Sequence, residues 1–325
     1  NAEVSLDSVS WRKPRGKRSV FEFDVGKGTG TYPLELLNVR LVGDDVAIEG
    51  WMGIGPDNKV KEFRFPNFSL NVISSLETHG KVRPDGIWDV TAKGPTYDGR
   101  DRFRSFFDVA HQVDPNAKVR PGLDLKAEIA TVVGFTDTAL RNVKMTLQKR
   151  SNKLTGLDVR GTLDGGKAFA AVVRQEAGRP RTLIAESQDA GQVFKLVGFY
   201  PNAVGGMMNL EVNLEGEGAA ERTGTLWARN FRVLGDPVII EVMQGADSNR
   251  SERRNVVRQQ FDFEIMRVPF SVGHGQFVMH NAVINGPFEG ASLRGKVDFR
   301  AQVIDVGGTY VGGTGIMQIL AAIPV

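Results

Sequence analysis

Phe261-Asp262-Phe263-Glu264-Ile265 alternates apolar and acidic side chains residue by residue. A period of two places Phe261, Phe263 and Ile265 on one face of a β-strand and the carboxylates on the other. The rhythm returns at Leu210-Glu211-Val212-Asn213-Leu214-Glu215 and at Gly295-Lys296-Val297-Asp298-Phe299-Arg300-Ala301-Gln302-Val303. From Val4 to Asp305 it barely stops, and each run is closed by Gly, Asn or Asp. Many such strands in succession build a long antiparallel sheet with one apolar face. What covers that face is the functional question.

Bulk composition agrees with a turn-rich β protein. The chain has 325 residues, enough for a large core or two domains, and 38 of them are Gly. Its 41 Lys+Arg against 38 Asp+Glu leave it nearly neutral, so charge alone selects no partner. Cysteine is absent, which removes disulfides, metal thiolates and thiol nucleophiles together. No apolar run has the length of a membrane-spanning helix. The chain opens on Asn1 and closes on Ala321-Ala322-Ile323-Pro324-Val325, which reads as a fragment of a longer protein.

Between Val4 and Lys93 the pattern predicts strands and turns, with a hairpin at Gly43-Asp44-Asp45 and an edge or bulge at Pro66. Phe103, Phe106, Phe107 and Ala110 have helical spacing and predict a helix within Gly99 to Val113. That break sets the expected division: a β-rich segment over 1–113 and a β-rich region over 114–325. Val193, Phe194, Leu196 and Val197 predict a second helix over Asp189 to Phe199, ended by Pro201. Asp236-Pro237 reads as the N-cap and first turn of a short helix to Met243. Further short helices are expected at Ser251–Gln260 and Gly315–Ala322.

Catalytic constellations are missing. Of His79, His111, His274 and His280, only the last two are near in sequence, and six strand residues hold them about 20 Å apart. That is too far to share a metal, and no His-Glu-x-x-His pattern exists. The glycines of Gly26-x-Gly28-x-Gly30 and Gly273-x-Gly275 lie between strands and open no helix, so they read as turns rather than phosphate cradles. No nucleophile, base and orienter set stands out. The expectation is no enzyme, no metal and no cofactor. Basic clusters at Trp11–Arg18, Arg100–Arg104 and Arg250–Arg258 read first as solvated loops, then as contacts to anionic headgroups; no nucleic-acid partner is expected. The apolar face itself fits either a closed β-sandwich core or an open groove filled by an apolar ligand.

The second half resembles the AsmA-like family of bacterial envelope proteins, in particular its YhdP-type branch. The likeness rests on Ser187-Gln188-Asp189-Ala190-Gly191-Gln192-Val193-Phe194-Lys195-Leu196-Val197-Gly198-Phe199-Tyr200 followed by Val204-Gly205-Gly206-Met207-Met208-Asn209-Leu210, like the family's short helix and Gly-Gly turn into a strand. Val272-Gly273-His274-Gly275-Gln276-Phe277 leading to Asn281, then Leu293-Arg294-Gly295-Lys296-Val297-Asp298-Phe299 and Gly308-Thr309-Tyr310-Val311, resemble its later strands and closing segment. Gly312 stands where that segment has proline.

The resemblance implies a mainly β fold: a long curved antiparallel sheet folded over into an elongated hydrophobic groove, with a few short helices. It implies an inner-membrane-anchored protein projecting into the periplasm, whose groove passes phospholipid between the inner and outer membranes. The alternative is a scaffold for outer-membrane protein assembly with a closed β-sandwich core. Alternation selects Val159, Leu163, Leu210, Val212, Leu214, Phe261, Phe263, Ile265, Val297 and Phe299 as groove-facing candidates.

Overall fold

The computed structural model describes residues 4–6, 11–13, 16, 18–28, 30–107, 121–151, 153–215, 221–237, 239–240, 259–273, 275–287, 289–298, 301 and 303–312. The chain is mainly β, as the alternation predicts, and divides into two compact units. The first is Asn1–Arg102, Lys118–Gly134 and Ala139–Thr162. The second is Phe103–Ala117, Phe135–Thr138 and Leu163–Val325. These units differ from the segments 1–113 and 114–325 read from the sequence: after the helical break the chain returns to the first sheet, and the long run of second-unit strands starts at Leu163.

In the first unit β1 (Val4–Leu6) pairs with β2 (Trp11–Lys13). The large sheet holds β3 (Ser19–Lys27), β4 (Leu34–Gly43), β5 (Val46–Ile54), β6 (Val60–Leu70), β7 (Ser74–Val82) and β8 (Trp88–Asp98) as successive antiparallel neighbours. The helix α1 (Arg100–Phe107) follows, within the predicted span; residues 108–113 of that prediction lie outside the described residues. The sheet then continues through β9 (Leu123–Val133), β10 (Ala139–Arg150) and β11 (Lys153–Thr162). β8 and β9 pair in parallel, the one departure from an antiparallel order. The connection from Gly99 to Gly122 is long enough to return the chain to the starting end of β8, which a hairpin cannot do.

A line of irregular pairing crosses this sheet. Register shifts fall between Glu22 and Asp24, Leu36 and Val39, Glu49 and Trp51, Phe65 and Phe68, Ser75 and Glu77, and Arg141 and Lys144. Extra residues in one strand bend it and increase its twist. The side chains on the line are those that tolerate this: Asn38 and Asn142 have positive φ, and Pro66 sits in the β6 bulge as predicted. Gly50 and Gly94 face a neighbouring carbonyl where a Cβ would stand. The line is therefore a crease across consecutive strands. Around it a sealed part of the core gathers Val39, Val46, Ile48, Phe65 and Leu70.

The long run of the second unit opens with a 3-10 turn (Asp164–Gly166) and β12 (Ala168–Arg174), β13 (Thr182–Ser187), the helix α2 (Ala190–Leu196) and β14 (Ala203–Val204). β15 (Met207–Asn213), β16 (Arg222–Leu234), β17 (Gln260–Gly273), β18 (Gln276–Asn285), β19 (Glu289–Asp298) and β20 (Val303–Gly312) follow. β12, β13 and β15 through β20 pair antiparallel in that order, and β14 adds to β16.

α2 starts where Asp189 accepts the Gln192 N–H at 2.9 Å. It buries Ala190, Val193, Phe194 and Leu196. It ends at Gly198 (φ 70), three residues before the proline expected to stop it, because the Phe199 N–H reaches back to the Phe194 carbonyl at 2.8 Å. Asp236 caps the next turn, accepting the Ile239 N–H at 3.0 Å. The helices expected at Ser251–Gln260 and Gly315–Ala322 fall, but for the last two residues of the first, outside the described residues.

Candidate functional site

Following the register across the first sheet gives one row: Val25, Leu36, Met52, Phe63, Gly80, Val90, Leu125, Leu147, Leu157. Every member is apolar, on nine strands in succession. The next row holds Phe65, Thr78, Ala92, Ala127, Met145 and Val159, apolar but for Thr78. Opposite-parity positions carry the charges: Arg64, His79, Thr91, Lys126, Thr146 and Asp158 form one row on the other face. The exposure of the apolar row is unusual. Leu36, Met52, Phe63, Val90, Leu125, Leu147 and Leu157 are all half-buried, and Val25 is 64% exposed. Core side chains are usually sealed, and contiguous apolar surface in a soluble protein marks a binding site.

The second unit is more sealed. Val173, Leu183, Val212, Gly224, Phe270 and Met279 form a row, with Phe270 stacked on Phe277 at 4.9 Å. Phe231 stacks on Phe263 at 5.3 Å.

The sequence-selected residues divide between these environments. Val159 lies on the half-buried face of the first unit, in line with Met145. Leu163, Val212, Phe261 and Phe263 are core residues of the second unit. Leu210, Leu214 and Val297 are half-buried. Ile265 lies opposite Arg229, because the inward parity changes from Phe261 and Phe263 to Met266 and Val268. Asn230, with positive φ, makes the matching change on β16. Phe299 lies outside the described residues. Alternation thus found second-unit apolar positions but missed the more open first-unit row, whose signal is the same rhythm in β4 through β11.

On the charged face one carboxylate is buried. Glu62 is 3% exposed and accepts from Tyr32 Oη at 2.6 Å and Arg64 Nη2 at 2.7 Å. His79 Nε2 and Lys81 Nζ each stand 3.3 Å from it. Burial alone would raise its pKa, but the bonds from Tyr32, Arg64, His79 and Lys81 outweigh it and hold the carboxyl at about 2. Tyr32 is pushed up to about 12, by burial first and then by its bond to Glu62. Tyr32, Glu62, Arg64 and Lys81 line a shallow depression of about 500 Å³ with Thr31, Glu35 and Trp51. Its cations converge on Glu62, so it is a clasp between β6, β7 and the loop before β4 rather than a vacant anion site.

The clasp carries a pH prediction. The Glu62 carboxyl titrates at its ordinary 4.5 when unfolded and at about 2 when folded. Its contribution is complete above the first value and is lost as pH falls toward the second. Glu62→Gln is expected to cost about 2 kcal/mol at pH 7, discounted because Arg64, His79 and Lys81 are largely solvated. It should also flatten the acid limb of stability below pH 4.5. Urea melts across that range check both; an unchanged limb would remove the clasp from the account.

Among the described residues no three His, Cys, Asp or Glu side chains gather to hold a metal. No helix among them is long and apolar enough to cross a membrane. Comparison with protein-family models, curated proteins and solved structures finds no match to the chain.

Proposed function

We propose that this chain is part of a lipid-transfer bridge, carrying phospholipid acyl chains along the apolar face of its sheet while the headgroups stay in water. The observation that carries this reading is the apolar row of the first unit, continuous over nine strands, with seven of its nine members half-buried. At about 4.8 Å between strands the row is roughly 38 Å long. One leaflet's acyl layer is about 15 Å deep. A chain therefore occupies part of the row and meets similar side chains at each step. Each methylene removed from water contributes about 0.8 kcal/mol, and the next position offers nearly the same. Uniform binding of that kind favours sliding over trapping and needs no catalytic group. The resemblance to AsmA-like proteins supports the same reading, and it supplies the periplasm as compartment and the inner and outer membranes as partners.

The test is native mass spectrometry of the purified protein, followed by organic extraction and lipid identification. Phospholipid at defined stoichiometry is the expected result. A folded, monodisperse, lipid-free protein would overturn the reading and leave the envelope scaffold in its place.

A further inference from the structure

Two arginines stand on the apolar side of the second unit, at one rim of the sheet. Arg222 opens β16 and shares the parity of Gly224, Leu226 and Ala228. Its row continues into Val272, Phe277 and Val297. Arg181 immediately precedes β13 and shares the parity of Leu183 and Ala185; its carbonyl accepts the Leu214 N–H at 2.8 Å. The rim is the same for both, because β13 and β16 start there while β15 and β17 end there.

Their pairing differs. Arg181 is 6% exposed and holds Glu215 Oε1 at 2.6 Å. Arg222 is half-buried, and among the described residues no carboxylate pairs with it. Burial, and then the Arg181 guanidinium, lower its pKa from the ordinary arginine value. A partly desolvated guanidinium beside a second one is costly unless an anion answers it. The surroundings are apolar: the Phe270 ring lies against Gly224 and stacks on Phe277.

We propose that Arg222, backed by Arg181, is an oxyanion subsite that receives the phosphate of an amphiphile whose acyl chains lie on the adjoining apolar face. A guanidinium presents paired N–H donors matched to phosphate oxygens. Chains would run inward past the half-buried Leu214 and Leu210, and the headgroup would stay at the rim. The acyl-chain half of this proposal rests on the lipid-transfer reading; the anion half does not.

The test compares the intact protein with its Arg222→Gln and Arg222→Lys variants by calorimetry, using dihexanoyl phosphatidylglycerol, uncharged dihexanoyl glycerol and inorganic phosphate. Arg222→Gln should weaken the phospholipid about 10- to 100-fold, leave the uncharged lipid unchanged, and be partly rescued by lysine. Thermal melts should show the glutamine variant as stable as the parent, since it removes a charge that no carboxylate among the described residues answers. Equal affinity of parent and glutamine variant for the phospholipid would overturn the subsite. So would equal losses for the charged and uncharged lipids. Phosphate bound by the parent and lost in the variant, with neither lipid bound, would keep the anion site and remove the lipid. No binding of any probe to the parent would remove both.

Discussion

Leu125→Asp is expected to empty the protein of co-purifying lipid while leaving it folded, and Phe263→Asp to unfold the second unit. The two side chains lie in opposite environments on comparable apolar faces. Leu125 is half-buried within the open row, between Val90 and Leu147. An aspartate there remains hydrated in the unoccupied protein, so the folding cost is about 1–2 kcal/mol. An acyl chain lying over it would desolvate the carboxylate, at a cost of several kcal/mol. The loss of bound lipid should therefore be at least about tenfold. Phe263 is 8% exposed and stacked on Phe231 at 5.3 Å. A buried, unpaired carboxylate in place of that ring should cost more than about 4 kcal/mol.

Circular dichroism with parallel lipid extraction reads both outcomes. Unfolding of Leu125→Asp would mean that the row is a closed core. A folded Leu125→Asp with normal lipid would mean that the row is not the path. The exposure pattern therefore moves the informative substitution away from the residues that alternation makes most conspicuous, Phe263 and Val212, into a strand from the first half of the chain.

That displacement shows what a period of two can and cannot reveal. Alternation in Leu210–Leu214 and Phe261–Phe263 correctly marks strand faces, and the helical spacing of Val193, Phe194 and Leu196 correctly marks α2. Local chemistry was enough because each inference needed only neighbouring residues. The apolar row needed pairing between strands, and a single bulge changes which residues are opposite. Asn38, Asn142, Asn230 and Asn281 each take positive φ inside a strand, so counting by twos across them assigns the wrong face. At Ile265 the inward parity of β17 has already changed, across from the same change at Asn230 on β16. The parallel β8–β9 pair and the return of β9–β11 to the first sheet were hidden for another reason: the connection through α1 is compatible with either direction of return. Arg222 gave no signal at all, since an arginine at a strand start looks like an ordinary surface residue until its parity is known.

The crease makes the second strong prediction, and it concerns glycine. At Gly50 an added Cβ would stand 2.0 Å from the Arg64 carbonyl oxygen; at Gly94 it would stand 2.2 Å from that of Ser75. Both obstacles are backbone atoms of a paired strand, which move only if the bulge itself opens. Gly50→Ala should therefore destabilise the first unit by about 3 kcal/mol or more, a fall of roughly 10 °C in its melting temperature. Gly307, on β20, supplies the control: a Cβ there meets nothing within 4 Å and its φ is not in the left-handed region. Gly307→Ala should be neutral or stabilise by a few tenths of a kcal/mol, about what reduced chain entropy gives. Differential scanning calorimetry distinguishes the pair. Equal melting of both variants would mean that close backbone approach at the crease is not what demands glycine. A selective loss at Gly50 would tie the bend in the sheet to named residues. It would also explain how one side of so long a run of strands stays apolar: extra residues at the crease are absorbed by Gly, Asn and Pro, and the face is preserved on either side of it.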